Sequence, residues 1–406
     1  MPGHRRAAAL CITTAVAAMT AAAALVAPSA SASDPQLRGA HTVTHVAIVD
    51  LENKGFDETF GPGSPYTALT ELAAQGQLLS QYYGIGHFST PNYIAQISGQ
   101  APNLATQLDC SRYLPFVGEG TGAYGQALGR GCVFPSSVRT VADQLEAKGL
   151  TWRSYQENMG IRPAEAKQTC VHPELGAVDP TVAVGTGYST RHNPFMYFHS
   201  IIDSPSCDAN VVGLDRLPAD LADEASTPNY LFITPDQCND GHTVPCEPGL
   251  PSGPDAVNRW LRTWIPQLQQ APAFRDHGLI VITFDEAEPI GPDADSSACC
   301  GEIPGPNPTL VGDISPIPGI ILHATGGPGI FGPGGGRVGA VLLGPGVRAG
   351  TVNDTPYNHY SLLRSVEDMF GLAHLGYADL PDVRPFGTDL FRPGWKQGVL
   401  DMLKTP

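Results

Sequence analysis

Four separated segments of this chain carry residue types that hold cations or move protons. Glu52 and Asn53 lie in LENKGFDETFG, Asp236, Asp240 and His242 in TPDQCNDGH, Asp285 and Glu286 in TFDEAE, and His359 in NHYS. Carboxylate and amide oxygens suit hard divalent cations such as Ca²⁺, Mg²⁺ or Mn²⁺, and imidazole extends the choice to Zn²⁺. Glu52, Asn53, Asp285 and Glu286, taken together, are the expected ligands of one such cation. Asp240 taken alone reads as a cap, the commoner use of an acid after a strand. A fifth stretch, HFSTPNYIAQISG over 87–99, sets two hydroxyls ahead of Pro91 and a helix-capable run. Beside a divalent cation a hydroxyl loses its proton more readily, and a helix N-terminus offers N–H groups to phosphate oxygens. Ser89 or Thr90 is therefore a candidate nucleophile toward phosphorus. Without the acids, the same pair would read as a plain N-cap. His242 and His359 are candidate proton carriers.

These groups need elements that deliver them to one place. HTVTHVAIVDLEN (41–53) is a β-branched apolar run ending in polar groups, the pattern of a buried parallel strand. TWRSYQEN (151–158), TPNYLFITPD (227–236), HGLIVITFDEAE (277–288) and RVGAVLLGP (337–345) add further short apolar runs. Helical spacing occurs in SPYTALTELAAQGQ (64–77), SVRTVADQLEAKG (137–149), GPDAVNRWLRTWIPQLQ (253–269) and YSLLRSVEDMFG (360–371). The alternation predicts an α/β three-layer sandwich, a mostly parallel central sheet with helices on both faces. Its ligand crevice should lie at the carboxyl ends of the strands. Long Gly/Pro-rich stretches at 100–136, 160–226 and 287–336 read as functional or disulfide-tied loops.

The N-terminus, MPGHRRAAALCITTAVAAMTAAAALVAPSASAS, has two arginines, an Ala-rich apolar run and small residues around Ala30 to Ala32. This predicts a secretory signal peptide over 1–32, and a single catalytic domain over 33–406. Cleavage removes Arg5 and Arg6 and no acid, so the formal charge moves from −16 to −18. Such a surface repels nucleic acid and gives no bulk attraction to anionic membranes, and no stable membrane insertion is expected of the mature chain. Of nine cysteines, Cys11 leaves with the signal and eight remain, an even count that suits up to four disulfides in an exported chain. Cys110–Cys132 and Cys238–Cys246 are the easiest loops to close, and adjacent Cys299 and Cys300 are expected to bond elsewhere.

LENKGFDETFG, HFSTPNYIAQISG, TPDQCNDGH, TFDEAE and NHYSLLRSVEDMFG, in this order, resemble the bacterial acid phosphatase and phospholipase C phosphoesterase family of the alkaline-phosphatase superfamily. The nearest likeness is to its small secreted acid phosphatases, which include phosphatidylinositol 3-phosphatases, and it runs from about His45 to Leu372. The resemblance implies an alkaline-phosphatase-like fold and a phospho-enzyme mechanism acting on small-molecule or lipid phosphate esters. It makes Ser89 the nucleophile and, with Glu52, Asn53, Asp285 and Glu286, a contact of the metal. It implies Asn92, Arg191, His192 (in RHNPFMYF) and Asp240 as substrate contacts, with His242 and His359 in proton transfer.

Two enzyme readings follow, a phosphomonoesterase and a phospholipase C-type phosphodiesterase. GGGRVGAVLLGPGVRAG (334–350) resembles the phospholipase branch's Gly-Arg-Val-Pro strand, but Gly339 replaces the Pro, which favours the monoesterase. A sulfatase reading needs an arginine that STPNY lacks. A binding protein on a dead enzyme fold would have lost a nucleophile or ligand, and every position named above holds a competent residue.

Overall fold

The computed structural model describes residues 41–396 apart from 162–166, 182–186, 247, 290, 292, 310–332 and 394. The expected signal peptide lies outside the described residues. Eight strands form the central sheet: β1 His45–Leu51, β2 Gln77–Leu79, β3 Trp152–Gln156, β4 Val211–Gly213, β5 Tyr230–Thr234, β6 Gly278–Phe284, β7 Ala340–Leu343 and β8 Thr351–Asn353. Their spatial order is β8-β2-β7-β6-β1-β5-β3-β4. All neighbours run parallel except β7, which is antiparallel to both β6 and β2. β1 and β6 are buried along their whole length, which is why HVAIVDL and GLIVITF lack the apolar/polar alternation of a half-exposed strand.

Five longer helices cover the sheet: α1 Thr67–Gln75, α2 Ser89–Ser98, α3 Val141–Ala147, α4 Pro254–Gln270 and α5 His359–Phe370. Strand parity tells which face each group covers, because successive side chains point to opposite faces and paired residues of neighbouring strands share one. Phe232 of β5 pairs with Ile48 of β1, and its ring packs on Tyr93 of α2. Phe284 of β6 pairs with Leu51, an odd number of residues from Ile48, and packs edge-on to Tyr66 at the start of α1. Helices thus lie on both faces, with α2 and α5 packed together on one and α1 and α4 on the other.

The same parity aims the chemistry. Asp50 shares the α2 face with Ile48, and Gln96 of α2 donates to its carboxylate at 2.5 Å. Glu52, two residues on, keeps that direction. Thr283 pairs with Asp50, so Asp285 follows on the same side. The register therefore brings Glu52 and Asp285 out of adjacent strands together: Asp285 N–H donates to Leu51 O, and Asn53 N–H to Asp285 Oδ1, both at 3.0 Å.

Four disulfides are present among the described residues: Cys110–Cys132, Cys170–Cys207, Cys238–Cys246 and Cys299–Cys300. The last corrects the expectation that Cys299 and Cys300 bond elsewhere. The other six described cysteines pair among themselves, which leaves each of these two its neighbour as partner. At Gly339 the backbone has φ +76°, which proline's ring forbids, so the departure from Gly-Arg-Val-Pro belongs to the local turn.

α2 ends at Gly99 in the left-handed conformation, φ +66°, with its N–H on Ala95 O. A Cβ there would lie 2.2 Å from Leu375 O. Gly99→Ala should therefore cost at least about 1–3 kcal/mol, read as a lower midpoint of denaturant unfolding, and an unchanged midpoint would remove this account of the α2 terminus.

Candidate active site

Ser89 opens α2, and its hydroxyl donates to Glu52 Oε2 at 2.9 Å. The preceding Phe88 has φ +71°, an uncommon value for a bulky residue, and so turns the chain sharply into the helix. One helical turn on, Tyr93 donates its hydroxyl to Glu52 Oε1 at 2.7 Å and stacks on the His192 ring, 5.5 Å between centroids and 4° between planes. His192 stands between two acids, Nε2 3.3 Å from Glu52 Oε1 and Nδ1 3.3 Å from Asp240 Oδ2. Asp240 uses its other oxygen to accept from His242 N–H at 2.7 Å, an Asx turn inside a loop rather than the helix N-cap expected of it, since no helix begins there.

Arg191 reaches in from the short 3₁₀ turn Thr190–His192, almost fully buried. Its guanidinium lies 3.2 Å from Asp109 Oδ2, donates to Gln237 Oε1 at 3.2 Å, and comes within 3.4 Å of His242 Nε2. His242 is the more open of these imidazoles; burial, and then Arg191, lower its pKa to about 4.

Three residues named from sequence are otherwise engaged. His359 is fully buried under the Asp285 turn, donating from Nε2 to Asp285 O at 2.6 Å, with Tyr82 hydroxyl at Nδ1 at 3.1 Å. Both ring nitrogens are spent on holding that turn. Glu286 pairs with His87, which has Ser296 on its other nitrogen. Strand alternation sends it away from Asp285. Asn92 is not brought to the crevice: its amide oxygen accepts from Ile85 and Gly86 N–H, and its amide nitrogen donates to Gly86 and Phe88 carbonyls. It holds the loop before Ser89.

Burial, chiefly, raises the pKa of Asp50, Glu52, Asp240, Asp285 and Glu286 well above the usual carboxylate range, and neighbouring acids add to it in each case. Such a cluster calls for positive charge. Asn53 Oδ1, Asp240 Oδ2 and Asp285 Oδ2 are buried without a hydrogen-bond partner, and Glu52, His192 and Asp240 offer ligand atoms within 4.8 Å of one another. Oxygen donors with one imidazole fit a divalent cation, so the residues present match the expected group.

The sequence profile of the phosphoesterase family matches residues 62–373. The chain belongs to the phosphoesterase family. Among curated proteins it is similar to a probable acid phosphatase of Kluyveromyces lactis, 27% identical over 335 residues, 82% of this chain and 59% of that protein. It is likewise similar to a phosphate-repressible acid phosphatase of Penicillium chrysogenum, 26% identical over 81% of this chain and 59% of that one. The chain thus spans about three fifths of the length of these two relatives. A phosphatidylinositol-3-phosphatase of Mycobacterium tuberculosis is 24% identical over 83% of this chain and 80% of its own. Among solved structures, an alkaline phosphatase superfamily protein from Vibrio parahaemolyticus aligns at TM-score 0.40 and 11% identity, over 80% of this phosphoesterase and 66% of that chain.

Tyr93, Asp109, His87 and Gln237 escaped the sequence reading. Tyr93 carried a signal, since four residues after Ser89 on a helix is the same face. His87 lies in HFSTPNYIAQISG and Gln237 in TPDQCNDGH, whereas Asp109 arrives from a loop with no periodicity to read.

Behind the crevice, Glu157 at the end of β3 accepts from Asp236 N–H and Asn239 Nδ2, each at 3.0 Å, and so shapes the TPDQCNDGH loop of the phosphoesterase. Burial, then Asp236, raises its pKa to about 7. Between its unfolded value near 4.5 and about 7 the folded state holds the proton that the unfolded state has lost, so stability falls as pH rises through that window. Glu157→Gln should flatten this fall, making the variant gain on the wild type in thermal midpoint between pH 5 and pH 8; parallel pH profiles would contradict it.

Proposed function

We propose that this phosphoesterase is a secreted, metal-dependent phosphomonoesterase of the acid-phosphatase type, with one catalytic domain over 33–406, acting through a phosphoserine at Ser89. The observation that carries this reading is the Ser89 hydroxyl at a helix N-terminus, hydrogen-bonded to a buried carboxylate among partnerless oxygens. The acid phosphatases among its relatives support it, as does the phosphatidylinositol-3-phosphatase for a lipid phosphate as one substrate. No described helix is long and apolar enough to cross a membrane.

Glu52, Asn53 and Asp285, with Ser89, would hold a divalent cation, and Glu52, His192 and Asp240 form a second donor group sharing Glu52. Bound there, a cation supplies charge neutralisation for phosphoryl oxygens and a lowered pKa for the serine hydroxyl. Ser89 Oγ forms its bond to phosphorus as the bond to the ester oxygen breaks, and the departing alkoxide is protonated to the alcohol. The N-terminal N–H groups of α2 and the Arg191 guanidinium favour the developing charge on phosphorus-bound oxygens. In the second step water attacks the phosphoserine, orthophosphate leaves and Ser89 regains its proton. His242, at the open side, is the imidazole available to relay these protons. His359 positions the Asp285 turn, Tyr93 orients Glu52, and Asn92 fixes the strained entry to α2.

A phospholipase C-type diesterase is the second reading. It is favoured by an apolar groove of about 390 Å³ lined by Leu104, Leu108, Leu114, Val117 and Arg130, which begins one residue from Asp109. Hydrolysis of a chromogenic monoester against the matching diester separates the two, the monoester being the faster substrate expected. Ser89→Ala should lower kcat by about 10³-fold or more with the unfolding midpoint unchanged, and chelation should abolish turnover until one divalent metal restores it. Wild-type turnover by folded Ser89→Ala would sink the nucleophile, and chelator-resistant turnover the metal.

A further inference from the structure

Asp109 stands where an incoming anion would stand. Its Oδ1 accepts from Thr90 N–H at 3.0 Å and from Thr90 Oγ–H at 2.9 Å, and its Oδ2 lies 3.2 Å from Arg191 Nη1. Thr90 directly follows Ser89, so its N–H belongs to the first turn of α2, the end of a ten-residue helix that attracts anions. Arg191 is a buried cation at the same crevice. One carboxylate thus holds both kinds of donor that phosphoryl oxygens seek, while still 13% accessible at its side chain.

The chain goes to some length to put it there. Asp109 and Cys110 both have left-handed backbones, φ +59° and +46°, and Asp109 closes the 3₁₀ turn Thr106–Leu108. For residues other than glycine this conformation costs of order 1 kcal/mol each, and the Cys110–Cys132 disulfide ties the turn to the Gly131–Val133 segment. A backbone held in this way leaves rotation of the Asp109 side chain as the movement open to it. A helix cap alone would need neither the bond to Arg191 nor a place among acids: Asp109 also helps to raise the pKa of Glu286.

We propose that Asp109 is a resident anion in the phosphate seat, a specificity-determining residue that phosphate must displace from Thr90 and Arg191. The proposal rests on the phosphatase reading for what the seat is used for, though its binding claim is separable. A weakly charged or neutral ester competes poorly for these donors, whereas a phosphate dianion competes well. Release of orthophosphate is aided in turn, because Asp109 returns to the donors as the product leaves.

Orthophosphate binding to the full chain in Mg²⁺-containing buffer, measured by calorimetry, tests it directly. Asp109→Asn keeps an acceptor for Thr90 N–H and removes the charge, and should tighten orthophosphate binding about 10-fold or more. Asp109→Ser, which retains a capping hydroxyl, should tighten it too and serves where the asparagine variant folds poorly. Glu71→Gln removes one exposed charge on α1 and should leave binding at the wild-type value, which separates occupancy of the seat from net charge. Unchanged or weaker binding by both Asp109 variants overturns the proposal, as does an absence of orthophosphate binding in all four proteins. A wild type that hydrolyses no phosphate ester, with binding tightened in the variants, would reject the phosphatase reading and retain the seat.

Discussion

The rest of the site depends on one electrostatic constraint: Asp50, Glu52, Asp240, Asp285 and Glu286 are all buried at the carboxyl edge of one sheet. Two like unit charges 4 Å apart repel by about 4 kcal/mol at an effective dielectric of 20. A fold of marginal stability cannot hold several such ions without partners. The acids are partnered unequally. Gln96 serves one oxygen of Asp50 and His87 serves Glu286, whereas Asp50 Oδ1 and Asp285 Oδ2 have no hydrogen-bond partner and Asp240 Oδ2 has only the His192 ring, 3.3 Å away. The unpartnered oxygens of Asp285 and Asn53, close to Glu52, are where added positive charge would be most stabilising. Arg191 offsets part of the repulsion, acting on Glu52 and Asp240 while it is paired with Asp109.

Holding partnerless oxygens in place requires rigidity around them, and hydrogen bonds to backbone and side chains supply part of it. Asp285 is fixed from three sides: its N–H on Leu51, its Oδ1 under Asn53 N–H, and its carbonyl on His359. Glu52 is fixed by Asp240 O at its N–H and by the Ser89 and Tyr93 hydroxyls at its carboxylate. The position of Ser89 rests on Phe88 at φ +71°, where Asn92 ties down Gly86 and Phe88. Local strain beside Ser89 is thus sustained by a buried amide whose hydrogen bonds go to its own loop.

How much of this could be read from the sequence follows from the range of each interaction. The three-residue strands Gln77–Leu79, Val211–Gly213 and Thr351–Asn353 are too short to carry a pattern, whereas the central strands were legible because HVAIVDL, YLFIT and GLIVITF are short, mostly apolar runs. The place of Glu52 and Asp285 followed once those strands were parallel neighbours. Alternation could also have separated Asp285 from Glu286. Roles set by hydrogen-bond partners were not legible: an asparagine after proline at a helix start has the same sequence signature whether its amide meets a ligand or its own loop. His359 was correctly sent to the sheet edge, but Tyr82 and the Asp285 carbonyl, far away in sequence, decide what its nitrogens do.

Asp109 shows the same limit from the other side. Its sequence surroundings, TQLDCSRY, carry neither the spacing of a strand nor the stripe of a helix. Its importance arises only where the turn Thr106–Leu108, the disulfide to Cys132, the start of α2 and the Arg191 turn converge. An acid there adds repulsion to a site already crowded with carboxylates, which a cap of neutral serine would have avoided. A fold that accepts that repulsion keeps Arg191 and the helix N-terminus paired while no phosphate is bound, since Gln237 and His192 satisfy hydrogen bonds of the buried guanidinium but supply no opposite charge in direct contact with it. The anion seat is therefore stable when empty of substrate because the chain fills it, and the charge that fills it also sets how strong an anion must be to enter.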